Sequence, residues 1–365
     1  MTPLYQDWVR PLLFRGDAEA MHDRAIRWGA RLQRRKALVR WLARRYTVHD
    51  PRLRVAMAGL NFPNPIGLAA GYDKNGHSVE TLAALGFGAI EVGSVSAEAS
   101  PGNPPPRLWR SPADRAIIVN YGLPNDGAAA IAERLSTADL SVPLGVNVVK
   151  TNRRCAEPDE AILADYVEGA RLAQDACDYL VLNLSCPNTE SGRDFFAGHV
   201  QTRTLLELLD TPGPGKPVFL KVSPLGGDEA LDQLLEAADA FPWVAGFIFN
   251  LPPGKPVPLS LSESELERMP GAVAGKPVEG LIEERIAALY HRMDRDRYRI
   301  IAAGGVFTGE DALRKIRLGA SFVQIFTALI YEGPGVVRRI NLELLELLER
   351  DGFGHIGEAV GVDVP

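Results

Sequence analysis

From residue 64 onward the hydrophobic positions fall into two alternating rhythms. Nearly continuous apolar runs, NPIGLAAG, GAIEVGS, PLGVNVV, DYLVLNL, PVFLKVS, VAGFIFN, RIIAAGG and ASFVQIF, start at residues 64, 88, 143, 178, 217, 244, 299 and 320. Such runs predict strands buried on both faces. Most of the stretches between them (77–86, 158–175, 228–241, 278–292 and 309–318) repeat apolar residues at helical spacing, and a closing helix is expected near 335–351. Eight units of this kind predict an α/β chain folded as a (β/α)8 TIM barrel. A doubly wound sheet is the runner-up, but no dinucleotide fingerprint follows the first strand.

Residues 3–35 carry a different pattern and read as two amphipathic helices. Leu4, Trp8, Leu12 and Leu13 share one face of the first, where Pro11 should kink the helix or end it early. Met21, Ala25, Trp28 and Leu32 line the second, with Arg24, Arg27, Arg31, Arg34 and Arg35 nearby. Helices with Trp and Leu on one side and Arg on another can lie in a membrane interface, and they can equally pack on the barrel. The expected division is a helical extension over 1–45 and a barrel over 46–365.

Charge sharpens that division. Residues 1–55 hold 13 Lys or Arg against 5 Asp or Glu, whereas the whole chain has a net charge of -6. A basic front on an acidic body suggests an anionic partner, either a phospholipid surface or a nucleic acid. The segment has no groove-reading motif and no stacking platform, so nucleic acid ranks lowest. The three Cys (155, 177 and 186) form no CxxC pair, which argues against a disulfide framework or a structural metal and for a reducing compartment. No apolar run reaches the roughly 18 residues of a membrane span. The start MTPLYQDWVR lacks the order of a signal peptide, so the protein is expected to stay where it is made.

In such barrels the chemistry sits where strands end and βα loops begin. Those ends read AAGYDKNG, GSVS, NVVKTN, NLSCPN, KVSP, FNLPPGK, AGGV and FTAL, so Lys, Asn, Ser and Cys gather on one rim. Gly304 and Gly305 follow the seventh strand, where backbone N–H groups commonly cradle a phosphate. Lys221 should project into the same cavity, where it needs an anionic or electron-rich partner such as a flavin ring. Cys186 lies beyond its strand, between polar neighbours and before a Pro, as a reactive thiol would. An unperturbed thiol has a pKa of about 8.5, so proton abstraction by Cys186 should improve with rising pH unless Lys74 or another cation lowers that value. Asn147, Asn183, Asn188 and Asn250 each offer a donor and an acceptor, which suits a planar amide or a carboxylate-bearing ring.

Taken together, these stretches resemble the dihydroorotate dehydrogenases, specifically the quinone-linked class 2. The resemblance runs almost end to end, through AEAMHDRAIR, NPIGLAAGYDKNG, GFGAIEVGSVS, GNPPPRLWR, LGVNVVKTN, DYLVLNLSCPNT, VFLKVSP, AGKP, AAGGV, GASFVQIFTAL and DGFGHIGEAVG. It implies oxidation of dihydroorotate to orotate in pyrimidine biosynthesis, with FMN as cofactor and ubiquinone or menaquinone as acceptor. It further implies a monomer held peripherally on the cytoplasmic face of the inner membrane, with the quinone arriving through a tunnel under the N-terminal helices. Residue by residue, it assigns Ala69, Ala70, Gly71, Ser94, Asn147, Lys221, Gly275, Gly304, Gly305 and Thr327 to FMN. Lys74, Asn183, Asn188 and Asn250 fall to the substrate, His22 and Arg110 to the quinone tunnel, and Cys186 to the catalytic base.

Four positions depart from the class 2 pattern. Cys186 replaces a Ser base and is the base of the class 1 enzymes. Val119 replaces a substrate-binding Asn, with Asn120 displaced by one position, and Leu251 stands where a Thr normally follows the Asn after strand six. Phe326 replaces a Tyr. Two further readings therefore stay open: a divergent paralogue with the same fold and FMN acting on another cyclic amide or unsaturated acid, and a non-catalytic flavin-binding barrel.

Overall fold

A computed structural model of the chain describes residues 4–153, 155, 157–185, 195–196 and 199–365. Thirteen strands follow one another: β1 (Val55–Met57), β2 (Leu60–Phe62), β3 (Ile66–Leu68), β4 (Ala89–Val95), β5 (Leu108–Ser111), β6 (Ala116–Val119), β7 (Leu144–Val148), β8 (Tyr179–Asn183), β9 (Val218–Val222), β10 (Val244–Phe249), β11 (Ala272–Gly275), β12 (Arg299–Ala303) and β13 (Ala320–Ile325). Eight close a parallel barrel in the order β3-β4-β7-β8-β9-β10-β12-β13, and each coincides with one of the eight apolar runs. The expected helices form as well, at Val79–Ala83, Asp159–Ala173, Asp228–Asp239, Glu279–Arg292, Gly309–Arg317 and Val336–Asp351.

Pairs of small and large side chains fill the barrel interior. A Cβ on Gly67 would come within 2.5 Å of the Phe322 ring, and one on Gly145 within 2.3 Å of Tyr179. Glycine at these two positions makes room for an aromatic ring from another strand. The short antiparallel hairpin β1–β2 sets Phe62 against Phe322, with ring centroids 4.8 Å apart, near the N-terminal ends of the strands.

A second sheet forms at the other end. β5, β6 and β11 make an antiparallel three-stranded sheet in the order β11-β6-β5, assembled from the segments that follow β4 and β10. The apolar pattern does not predict it, because its strands are four residues long and the first follows a proline-rich stretch.

The N-terminal extension holds three helical segments where two are expected. Tyr5–Val9 forms a π-helical turn that continues as the α-helix Arg10–Phe14, so Pro11 falls in the first turn of the α-helical part, where its missing N–H is tolerated. Asp17 caps the helix Ala18–Gln33 by accepting from the Ala20 N–H at 2.8 Å. The unexpected third helix spans Lys36–Tyr46. Of the apolar stripe expected on the second helix, Met21 and Leu32 are half-buried while Ala25 and Trp28 are exposed. Close packing occurs instead at Gly29, where a Cβ would lie 2.8 Å from that of Ser78 and whose carbonyl accepts from Thr81 Oγ1. Trp8, Trp28 and Trp41 are 71%, 70% and 60% exposed, so the tryptophan faces turn away from the barrel.

Phe322 is fully buried between the hairpin and the barrel. Phe322→Ala should lower unfolding stability by about 3–5 kcal/mol, read as a lower urea midpoint. A midpoint within error of the parent would show that the hairpin does not seal this end.

Candidate active site

A cavity with about 1170 Å³ of empty space, its open mouth included, lies between the C-terminal ends of the barrel strands and the three-stranded sheet. Strand ends and roof both contribute to its lining, which includes Ile117, Val119, Ala274 and Gly275 from the roof. Volumes of this order suit a cofactor and a small substrate together.

Most of the residues expected at FMN converge here. Ala69, Ala70 and Gly71 line one side, Ser94 and Lys221 another, and Gly275, Gly304, Gly305 and Thr327 a third. Asn147 stands one layer behind, fully buried, with its Oδ1 accepting from Ser94 Oγ at 2.6 Å. Gly304 and Gly305 have φ of +103° and +78°, and a Cβ on Gly305 would lie 2.5 Å from that of Glu279. Only glycine adopts this cradle without strain. Among the described residues nothing accepts from the N–H of Gly304 or Gly305, which leaves both for an anion. Lys221 Nζ likewise makes no hydrogen bond among the described residues; its one charged neighbour is Glu91 Oε1 at 3.7 Å. A phosphate cradle and a buried lysine facing one cavity fit FMN.

Residues expected at the substrate share the cavity. Lys74, Asn183 and Asn250 line it, whereas Asn188 and Cys186 lie outside the described residues. Lys74 Nζ sits 3.9 Å from the centroid of the Tyr121 ring. Burial pulls its ammonium down to about 8, against the opposing pull of Asp23, Glu19 and Asp73. Asn250 Nδ2 donates to Asn183 Oδ1 at 2.9 Å, and Asn183 Nδ2 donates to Ser94 Oγ at 3.1 Å.

Val119 and Leu251 both face the cavity, making that wall apolar. Asn120 does not compensate. Its Oδ1 and its backbone carbonyl both accept from Asn103 Nδ2, at 3.2 and 3.1 Å, and it is absent from the cavity wall.

His22 and Arg110 sit beside the cavity, outside its lining. The half-buried His22 ring meets Tyr72 edge-on at 5.0 Å, and Tyr72 meets Phe326 edge-on at 5.4 Å. Phe326 lines the cavity, so an aromatic file runs from the N-terminal helix to the interior. Burial pushes the His22 imidazole down to about 3, with Lys74 adding to the effect, so the ring is neutral near pH 7. Arg110 donates to the carbonyls of Leu13 and Gly16 and lies 4.5 Å from the centroid of the Phe14 ring, fastening the first helix to β5.

Residue-type reasoning missed Glu91 and Gln324. Glu91 is fully buried and accepts from Asn147 Nδ2 at 2.9 Å and Gln324 Nε2 at 2.5 Å. A lone carboxylate in the apolar run GAIEVGS was the available signal. Among the described residues no cluster of His, Cys, Asp and Glu could hold a metal, and no described helix is long and apolar enough to cross a membrane.

The family model described as dihydroorotate dehydrogenase matches residues 52–348. A dihydroorotate dehydrogenase (quinone) from Natronomonas pharaonis is 39% identical over 361 residues, covering 99% of each chain. One of the same name from Gloeobacter violaceus is 39% identical over 356 residues, 97% of each. Among solved structures, the dihydroorotate dehydrogenase of Eimeria tenella in complex with ferulenol aligns with a TM-score of 0.79 at 29% identity, over 95% of this chain and 96% of that one.

Arg110→Ala removes two hydrogen bonds from a charged donor, about 1.5–3 kcal/mol each at most. Deuterium uptake over residues 5–16 should then rise by about tenfold or more while the barrel is unchanged. Unaltered uptake would mean that other contacts hold this helix.

Proposed function

The chain belongs to the dihydroorotate dehydrogenase family, and on that premise we propose that it oxidises dihydroorotate to orotate in pyrimidine biosynthesis and passes the electrons to ubiquinone or menaquinone. The observation that carries this reading is the single cavity in which the glycine cradle and Lys221 meet Lys74, Asn183 and Asn250. Bound FMN supplies the hydride acceptor. The N–H groups of Gly304 and Gly305 would hold its phosphate, and Ala69, Ala70, Gly71, Ser94, Gly275 and Thr327, backed by Asn147, would shape the remainder of its bed. Lys221 places positive charge where negative charge accumulates on reduction.

In this reading Lys74 pairs with the substrate carboxylate, and Asn183, Asn250 and Asn188 hold the amide ring flat for transfer. Cys186 Sγ, as thiolate, takes the proton from the ring carbon next to the carbonyl. The apolar wall of Ile117, Val119 and Leu251 keeps water from the reacting carbons. Toward the quinone, the His22–Tyr72–Phe326 file and Arg110 border the route under the N-terminal helices. Exposed Trp28 and Trp41, set among exposed arginines of their own helices, and exposed Trp8 support peripheral attachment to an anionic membrane, which this reading places at the cytoplasmic face of the inner membrane with the chain as a monomer. The extension over 1–45 is the membrane and tunnel unit, and 46–365 the catalytic barrel.

Val119, Leu251 and the tethered Asn120 favour a second reading in which fold, FMN and quinone stay and the substrate is another cyclic amide or unsaturated acid.

Anaerobic mixing of FMN-loaded protein with dihydroorotate across a pH range tests both. At saturating substrate, bleaching of flavin absorbance should accelerate as pH rises through the Cys186 thiol. Substrate affinity should fall as pH passes about 8, because Lys74 then loses its charge. Cys186→Ala should slow bleaching by about two orders of magnitude or more and retain FMN; an unchanged rate excludes the base role. No bleaching from a flavin that dithionite reduces would favour the second reading. Val119→Asn separates the two independently. It should tighten orotate binding by about tenfold if orotate is the product, since one hydrogen bond to a charged group contributes about 1.5–3 kcal/mol.

A further inference from the structure

The buried polar residues of the barrel form one directed chain. Asn250 Nδ2 donates to Asn183 Oδ1 at 2.9 Å, Asn183 Nδ2 to Ser94 Oγ at 3.1 Å, Ser94 Oγ to Asn147 Oδ1 at 2.6 Å, and Asn147 Nδ2 to Glu91 Oε1 at 2.9 Å. From the other side Gln324 Nε2 donates to Glu91 Oε2 at 2.5 Å. Every donor points toward Glu91. An amide can present either end and a hydroxyl can donate or accept, but an ionised carboxylate only accepts. With Glu91 at the end, Asn147 must turn its NH2 downward and its oxygen to Ser94. The Ser94 hydroxyl must then donate, and Asn183 must offer its NH2 to Ser94 and its oxygen to Asn250.

The same carboxylate lies 3.7 Å from Lys221 Nζ. β4 and β9 are separated in the sheet by β7 and β8, so this contact is a chord through the barrel interior. Glu91 is fully buried, and among the described residues Lys221 has no other anionic neighbour.

We propose that Glu91 is a positioning residue of the flavin site: it is the counter-ion of Lys221 and the terminal acceptor that sets the direction of the Asn147–Ser94–Asn183 relay. The inference rests on FMN occupying the cavity, as proposed above, and not on the identity of the substrate. Its negative charge opposes accumulation of charge on the reduced flavin beside Lys221, so Glu91 keeps the reduction potential low enough for onward transfer to a quinone. It also fixes Asn183 in one orientation without touching substrate or cofactor, whereas Asn250 is held by backbone groups, its Oδ1 accepting from the Leu251 N–H and its Nδ2 donating to the Ser185 carbonyl, both at 2.9 Å.

Glu91→Gln keeps the volume and removes the charge. In FMN-loaded protein equilibrated with redox dyes and no substrate, the flavin midpoint should rise by at least a tenfold shift in the reduction equilibrium, about 30 mV for a two-electron couple. FMN should also bind about tenfold more weakly by fluorescence titration, because a glutamine at 91 can face Asn147 with either end. A midpoint that moves by less than threefold, about 14 mV, overturns the proposal. If Glu91→Gln does not fold, Glu91→Asp decides. It keeps the charge but withdraws the carboxylate from Asn147 and Gln324, so the midpoint should stay within that threefold limit while FMN affinity falls about tenfold. Unchanged FMN affinity in Glu91→Asp overturns the relay. Parent protein that takes up no FMN overturns the functional reading itself, whereas failure of dihydroorotate leaves these potentials measurable.

Discussion

The contact between Lys221 and Glu91 is the constraint on which the rest of the site depends. A closed parallel barrel satisfies its backbone within the sheet and fills its centre with side chains, so a charge placed there has no water to turn to. Two opposite charges on strands three apart meet across that space, and the amides of Asn147 and Gln324 take up the carboxylate valences left over. Once the carboxylate is fixed, the side chains above it have little freedom. The polarity of the cavity wall is therefore inherited from the barrel interior rather than set at the mouth.

The electrostatics at the mouth are of another kind. Lys74 is held against the face of Tyr121, and burial lowers its ammonium enough that an anion has much to offer it. Next to this polar corner, Ile117, Val119 and Leu251 present hydrocarbon. One half of the pocket can discriminate by charge and the other by shape, and the second discriminates far less sharply. Asn120 shows why a shift of one residue in a loop is not a conservative change. Its side chain has found a partner in Asn103 and is lost to the cavity.

How far the sequence reveals this architecture depends on which physical signal each part leaves. The eight barrel strands are buried on both faces and leave unbroken apolar runs, so they are legible, as are the helices that cover them. The roof sheet leaves no such trace, because β5, β6 and β11 are short and β11 pairs with β6 across about 150 residues of chain. The helix Lys36–Tyr46 is hidden by its own arginines, and the packing of the second helix turns on Gly29, which hydrophobic periodicity does not weigh. The strand-end Lys, Ser and Asn residues were legible from the barrel rule alone, whereas their division between cofactor and substrate came from the family resemblance. Glu91 stood in plain view as a charge inside an apolar strand, yet its partners were out of reach, because Gln324 lies 233 positions away.

The roof has a bearing on how the protein comes to be assembled. Its hairpin of β5 and β6 is made early in the chain, but β6 waits for β11, and the barrel waits for β13 before it closes. Contacts of such separation form slowly, since each pays the loop-closure entropy of the intervening chain before it gains anything. The cradle at Gly304 and Gly305 and the wall at Val119 thus come together only when nearly all of the chain is available. The bed for a flavin is a product of completed folding, and a ligand that binds there stabilises the finished barrel without templating its early steps.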